Sequence, residues 1–261
     1  MKIYNLADTD ILDSNIDDAN HEGFRITDIK QAIKNENRVN IFVNDKYAFS
    51  LDIAQVVDFK LKVGLLITEE QLAEYKKAGE FGKAYQRALE WVLMRPRSER
   101  ELRDYLKRRT FKDEANLKKK EWEIEREIAD LVAKGEDPSR LQKRKAHYAK
   151  KPRYDFADLI VERLVQRGYV DDEKFAKYYV ENRFVKKGIS RKRLKLELMN
   201  KGVSDEIIEK VLNGRNDEEE ILKMIAKKRN KYDDEKLINY LVRQGFSYQQ
   251  VQSLVLDYGK D

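Results

Sequence analysis

Side chains that could catalyse a reaction or bind a metal are few in this sequence. Two acidic pairs, Asp171-Asp172 and Asp233-Asp234, have the chemistry of metal ligands. Each pair stands where a helix is predicted to begin, and a carboxylate there accepts hydrogen bonds from free backbone amides, so we interpret both pairs as helix caps. The two histidines lie in separate regions, cysteine is absent, and no glycine-rich phosphate loop occurs. The sequence therefore predicts a protein that is not an enzyme and that uses no metal or cofactor.

Clustered arginines and lysines are the residues whose spacing indicates an interaction. Such clusters suit phosphate groups or an acidic protein surface. We expect the side chains of Arg191, Lys192 and Arg193 to lie largely on the solvent side of their helix. Three nearby aromatic residues are interpreted as core rather than as base-stacking platforms: Tyr178, Tyr179 and Phe184. The candidate partner-binding residues are Arg95, Arg97, Arg100, Arg103, Arg183, Lys186, Lys187, Arg191, Lys192, Arg193 and Lys195.

The composition indicates a mainly helical protein. Charged residues make up 39% of the 261 residues, against about 25% in typical soluble domains, and only 3 prolines and 11 glycines occur. No apolar run approaches the ~20 residues that span a bilayer, so we expect no membrane partner. The lack of cysteine favours a reducing compartment, and we expect the cytoplasm. Residues 1–22 are acidic and without periodicity, which predicts a disordered tail.

Strand-like alternation is confined to residues 23–67. Three alternating runs, 24–29, 39–43 and 47–51, predict a small antiparallel sheet. Three strands are marginal alone, so we expect Ile53, Val56, Val57, Phe59 and Leu61 to cover one face as a short helix. This region is predicted to be a β-rich cap.

From Thr68 onward the apolar period is helical and a pattern recurs. A leucine is followed four residues later by Gly168, Gly202 or Gly245, then by an apolar residue and a helix-capping residue, with an offset of one residue in the first case. Each occurrence predicts a helix end and a helix start. The pattern predicts three three-helix repeats, with boundaries at 68–109 with 155–170, 171–214, and 215–261.

The first repeat is too long by nearly one repeat length, and residues 110–154 account for the excess. This segment has two apolar stripes separated by a break at Gly135–Pro138, which predicts an inserted helical hairpin, with the preceding helix ending near Arg109. We interpret it as a charged, solvated arm rather than a binding arm. The predicted fold is therefore mainly α, with tandem three-helix repeats in an elongated array, a small N-terminal β-rich cap and an inserted helical hairpin.

Three separated strings at 88–106, 168–176 and 187–203 carry distinctive motifs. The first contains Arg-Pro-Arg-Ser with Glu-x-Glu-Leu, and the second contains Gly-Tyr-Val-Asp-Asp followed by Phe-Ala. Together these motifs specifically resemble those of the bacterial regulatory protein family RecX. The similarity covers roughly residues 82–109 and 155–258, and 41–51 resembles an N-terminal extension that some members carry.

The resemblance implies a monomeric helical-repeat protein that binds the filament of the recombinase RecA. Members of the family restrain the filament and its ATPase, strand-exchange and co-protease activities, and contact with single- or double-stranded DNA is a further implication. Two alternatives stay open from the residues themselves: a repeat protein that acts directly on DNA, and a scaffold whose charge only keeps it in solution. The insertion at 110–154 departs from the family pattern.

Overall fold

The computed structural model describes residues 23–33, 35–149 and 154–258, and the acidic segment predicted at 1–22 lies outside them. The chain divides into two compact units, Met1–Gly82 and Lys83–Asp261. The mainly helical class and the small N-terminal antiparallel sheet are confirmed.

The sheet in the first unit has four strands in the order β3-β2-β1-β4, rather than the three predicted. The additional strand is two residues long and pairs with Phe24 and Arg25 at the start of β1. Asn44 and Asp45 adopt positive φ between the second and third strands, which makes the tight turn of a hairpin. The strands are β1 (Phe24–Ala32), β2 (Asn35–Val43), β3 (Lys46–Asp52) and β4 (Leu66–Ile67).

A short helix, α1 (Ile53–Asp58), follows the sheet as predicted, and it begins at a capping box between Asp52 and Gln55. The expectation that Ile53 and Val57 cover the sheet is wrong, because they are 49% and 69% exposed. A six-residue helix presents only one side to the sheet. The remaining cover comes from the next helix, which inserts Leu72 and Tyr75 into the same core.

The remaining helices are α2 (Glu69–Leu93), α3 (Glu99–Ala133), α4 (Ser139–Ala149), α5 (Ala157–Gln166), α6 (Asp172–Lys187), α7 (Arg191–Asn200), α8 (Asp205–Leu212), α9 (Asp217–Lys228), α10 (Asp234–Arg243) and α11 (Tyr248–Asp257). None of the helices within the described ranges is both long and apolar enough to cross a bilayer.

The expected helix end near Arg109 is wrong, because α3 continues without a break to Ala133. Near its start, Arg103 pairs with Asp158 of α5, and further along, Glu125 pairs with Lys145 of α4. Ile124 is 3% exposed, while the chain turns at Gly135 between α3 and α4. The inserted hairpin is therefore the distal part of α3 together with α4.

Two helical repeats have their own buried cores. The second repeat (α6–α8) packs around Phe175 and Leu198, and the third (α9–α11) around Ile225 and Leu241. The predicted helix ends at Gly168, Gly202 and Gly245 are confirmed by positive φ at all three. The repeat boundaries themselves stay predictions.

Candidate interaction surface

Successive repeats are joined at the N-terminus of α3. Ser98 Oγ accepts a hydrogen bond from the amide of Glu101 (3.1 Å), which caps α3, and it donates to the carbonyl oxygen of Lys201 at the end of α7 (2.8 Å). The next amide, that of Glu99, donates to Asp172 Oδ1 in the second repeat (2.9 Å). Backbone groups that a helix leaves free at its ends are thus satisfied by the adjacent repeat.

A matching joint connects the second and third repeats at Ser190. Its Oγ accepts from the amide of Arg193 (3.2 Å), and its own amide donates to the carbonyl oxygen of Gln244 (3.3 Å). The amide of Arg191 donates to Asp217 Oδ1 (2.8 Å), as Glu99 does to Asp172. In both joints the capping serine donates to a carbonyl oxygen at the end of a helix of the next repeat, through its hydroxyl at Ser98 and through its amide at Ser190. The amide that follows the serine donates to an aspartate in both joints.

Both joints depend on a glycine in the left-handed conformation at the helix end of the neighbouring repeat. Gly202 has φ +82°, and a Cβ there would lie 2.7 Å from Cβ of Arg100. Gly245 has φ +94°, and a Cβ there would lie 2.6 Å from Oγ of Ser190. The glycines therefore permit both the turn and the close approach of two repeats.

The two carboxylates of the Asp171-Asp172 pair have different roles. Asp171 caps its own helix, as predicted, and the amide of Lys174 holds the pKa of its carboxyl below the usual range. Asp172 instead caps α3 of the first repeat, and burial raises the pKa of its carboxyl. No group of three or more His, Cys, Asp or Glu side chains suited to a metal ion occurs in the described part of the chain.

Comparisons with known proteins agree with this arrangement. Three family models match: the regulatory protein RecX N-terminal domain at 24–68, the first RecX three-helix domain at 84–115 and the second at 171–212. The regulatory protein RecX of Listeria welshimeri is 26% identical over 243 residues, which are 89% of this chain and 75% of that protein. The chain belongs to the RecX family.

Two further comparisons concern RecX proteins. The regulatory protein RecX of Bacillus velezensis is 42% identical over 88 residues, and the alignment spans 34% of each chain. A crystal structure of regulatory protein RecX is 21% identical, with a TM-score of 0.55, and covers 90% of this chain and 99% of that one. That structure supports the fold alone.

A partly buried charge cluster lies beside the first joint of this chain. The carboxylate of Glu101 pairs with Lys201 (2.7 Å) and Arg95 (3.1 Å), and Arg97 lies 4.0 Å away. Burial opposes the charged form of Glu101, but hydrogen bonds from Lys201 and Arg95 outweigh it, so the pKa of this carboxyl lies below its usual value. Arg97 also stacks over Trp91, 3.9 Å from the ring centroid, and burial lowers the pKa of its guanidinium.

Most of the described candidate cations are neutralised by acids of the chain itself. Arg103 pairs with Glu99 (2.9 Å) and Asp158 (2.6 Å). Of the three side chains expected on the solvent side of α7, Lys192 is exposed, whereas those of Arg191 and Arg193 are only partly exposed. The Arg191 guanidinium donates to Glu209, and that of Arg193 donates to the carbonyl oxygen of Arg243 at the second joint. The cations with an acidic partner are Arg95, Arg97, Arg103, Arg191, Arg193 and Lys195.

Two candidate cations, Arg100 and Lys192, are exposed and have no acidic partner among the described residues. Each stands two residues after the capping serine of its repeat, so they occupy equivalent positions. The equivalent residue of the third repeat, two after Asp233, is Glu235. Three other candidates, Arg183, Lys186 and Lys187, lie near the end of α6, and their side chains are outside the described part of the structure.

The aromatic prediction is confirmed at Tyr179, which packs against the core of the second repeat and donates its hydroxyl to Glu197 (2.9 Å). Sequence reasoning missed Glu101 and Asp172 as joint residues. Their partners are distant along the chain, so local patterns do not reveal them. One indication was present: each acid lies in the first turn of a helix that already has another residue as its N-cap, so it is available to a partner outside that helix.

Proposed function

We propose that this chain binds the filament of the recombinase RecA and mainly inhibits its ATPase, strand-exchange and co-protease activities, and so acts in recombinational DNA repair and the SOS response. Membership of a family of regulatory proteins supports this proposal. The observation that carries it is the equivalent placement of Arg100 and Lys192, both exposed and without an acidic partner among the described residues, on two joined repeats.

A filament presents the same site again and again along its length. A partner that carries equivalent cations on successive repeats matches such a surface better than it matches a single small ligand. Two weak contacts on one pair of joined repeats also reinforce each other, because the second forms at a high effective concentration. The other cations predicted from the sequence remain part of the proposed contact surface. Those that lie at the joints serve mainly to hold the neighbouring repeats together.

The direct test is RecA-dependent ATP hydrolysis on single-stranded DNA with this protein added. We expect hydrolysis to fall at amounts of protein below that of RecA, because a blocker of filament growth need not match every subunit. Filament length measured by electron microscopy should fall in parallel. Unchanged hydrolysis and unchanged filament length at equimolar protein would contradict the proposal.

The contact residues are tested by the double charge reversal Arg100→Glu with Lys192→Glu. Both side chains are exposed, so the repeats should fold normally, and affinity for the filament should fall about tenfold as two attractive contacts become repulsive. Lys227→Glu, an exposed lysine of the third repeat, is the matched control and should bind as wild type. Normal binding by the double variant at several salt concentrations would assign these cations to solubility.

A further inference from the structure

The part of α3 beyond the first repeat carries two aromatic side chains that its own fold leaves uncovered. Phe111 is 74% exposed and Trp122 is 58% exposed. They are eleven residues apart, which is three helical turns, so they lie on the same side of the helix about 17 Å from one another. Ile124, which is buried, lies on another side of the same helix.

Cations are interleaved with these rings on one surface, the α3 outer face, defined by Arg108, Phe111, Lys112, Lys118, Trp122 and Arg126. Arg108, Lys112 and Lys118 have no ion-pair partner within the described ranges, and Arg126 lies 5.8 Å from the Trp122 ring centroid. Among the neighbouring acids, Asp113 pairs with Arg109, Glu123 with Lys119 and Glu125 with Lys145. Glu114 and Glu121 have no ion pair within the described ranges, so cations outnumber unpaired acids along this stretch but do not exclude them.

Exposed aromatic rings separated by unpaired cations are the chemistry of sequence-tolerant single-strand binding. Bases stack on the rings, and phosphates meet the cations. A helical protein partner fits less well, because Lys118 and Glu125 fall on the same stripe as the rings and a helix packed there would bury both charges.

We propose that the α3 outer face binds single-stranded nucleic acid, with bases stacked on Phe111 and Trp122 and phosphates held by the surrounding cations. The hairpin is then a second binding element of the chain, and this proposal replaces the interpretation from the sequence that it is a solvated arm. The proposal does not depend on filament binding, because the site needs no RecA.

Binding is measured as the fluorescence anisotropy of a labelled oligothymidine, without RecA and at low salt. We expect Phe111→Ala with Trp122→Ala to weaken binding at least tenfold, since each stacked base contributes enough for about that loss. Tyr248→Ala, which removes a ring that is 54% exposed in the third repeat, is the matched control and should leave affinity unchanged. Circular dichroism should show the same helix content in all three proteins.

Tryptophan fluorescence locates the contact, because the chain has two tryptophans. Trp91 is stacked on Tyr105 at 4.4 Å and covered by Arg97, whereas Trp122 is exposed. Unlabelled oligothymidine should quench the emission of wild type, and Trp122→Phe should abolish most of that quenching while Trp91 still emits.

The cations are tested through salt dependence. Lys112→Glu with Lys118→Glu should reduce the slope of log affinity against log salt by about 1.4, or about 0.7 for each lost phosphate contact on a single strand. Lys62→Glu, an exposed lysine outside the hairpin, should leave the slope unchanged.

Three results would overturn the proposal. They are no oligothymidine binding by wild type at low salt, equal binding by the Phe111 and Trp122 double variant, and loss of filament affinity by that variant with oligothymidine binding intact, which would make this face a protein contact. Failure of filament binding alone would overturn the proposed function and leave this site standing.

Discussion

A Gly202→Ala variant is expected to unfold with a free energy about 2–4 kcal/mol below that of wild type, since a left-handed alanine costs roughly 1–2 kcal/mol and overpacking adds about as much. The residue has φ +82°, and the new Cβ would lie 2.7 Å from Cβ of Arg100 across the first joint. Urea denaturation followed by circular dichroism measures the loss.

Gly168→Ala is the matched control for this effect. Gly168 ends a helix in the same way with φ +71°, but a Cβ there would have no atom within 4 Å. It should therefore show only the conformational cost, about 1–2 kcal/mol. Equal losses for Gly168→Ala and Gly202→Ala would contradict a tight joint at Gly202.

The second large effect is expected from Glu101→Ala, which removes the carboxylate shared by Arg95, Arg97 and Lys201. Glu101 is 13% exposed at the side chain, so its removal leaves partly buried cations with no opposing charge nearby. We expect stability to fall by about 2–4 kcal/mol, slightly less than for a fully buried pair. Glu219→Ala removes an exposed ion pair with Lys223 and should change stability by less than about 0.5 kcal/mol.

Glu101 also predicts a pH dependence with a definite sign. Its folded pKa lies below the ordinary 4.5 of the unfolded chain, so its contribution to stability is present above 4.5 and is lost as the pH falls through the folded value. Denaturation from about pH 7 to about pH 3 should show a steep acid limb in wild type and a shallower one in Glu101→Gln. An unchanged acid limb would show that other carboxylates dominate acid unfolding.

Local signals in the sequence predicted where most repeat helices begin and end. Ser98, Ser190 and Asp233 each cap the helix that was expected to follow, because a cap needs only the amides of the next three residues. The helix end near Arg109 was inferred instead from repeat length. The residues from Lys107 to Lys120 include no proline or glycine and are mostly strong helix formers. Nothing in this stretch therefore ends the helix, and α3 continues past Arg109.

Features that depend on distant partners were not predictable in this way. Strand β4 has only two residues and exists because it meets β1 far away in sequence. The clustering of arginines and lysines in the sequence indicated a basic surface. The ion pair between Glu101 and Lys201 was not predictable, because the two residues are 100 positions apart and no sequence periodicity relates them. The equivalence of Arg100 and Lys192 could have been predicted, because each stands two residues after a capping serine. A comparison based only on the density of charge does not detect it.

Hydrogen exchange at two backbone amides, one in each joint, should report when neighbouring repeats separate. First-turn amides normally exchange their hydrogens with water quickly, because the helix offers them no acceptor. Those of Glu99 and Arg191 are held by Asp172 and Asp217, so each should exchange slowly until its own joint opens. Gly202→Ala should then accelerate deuterium uptake at Glu99 while leaving Arg191 protected, so that the opening of each joint is read separately within one intact molecule.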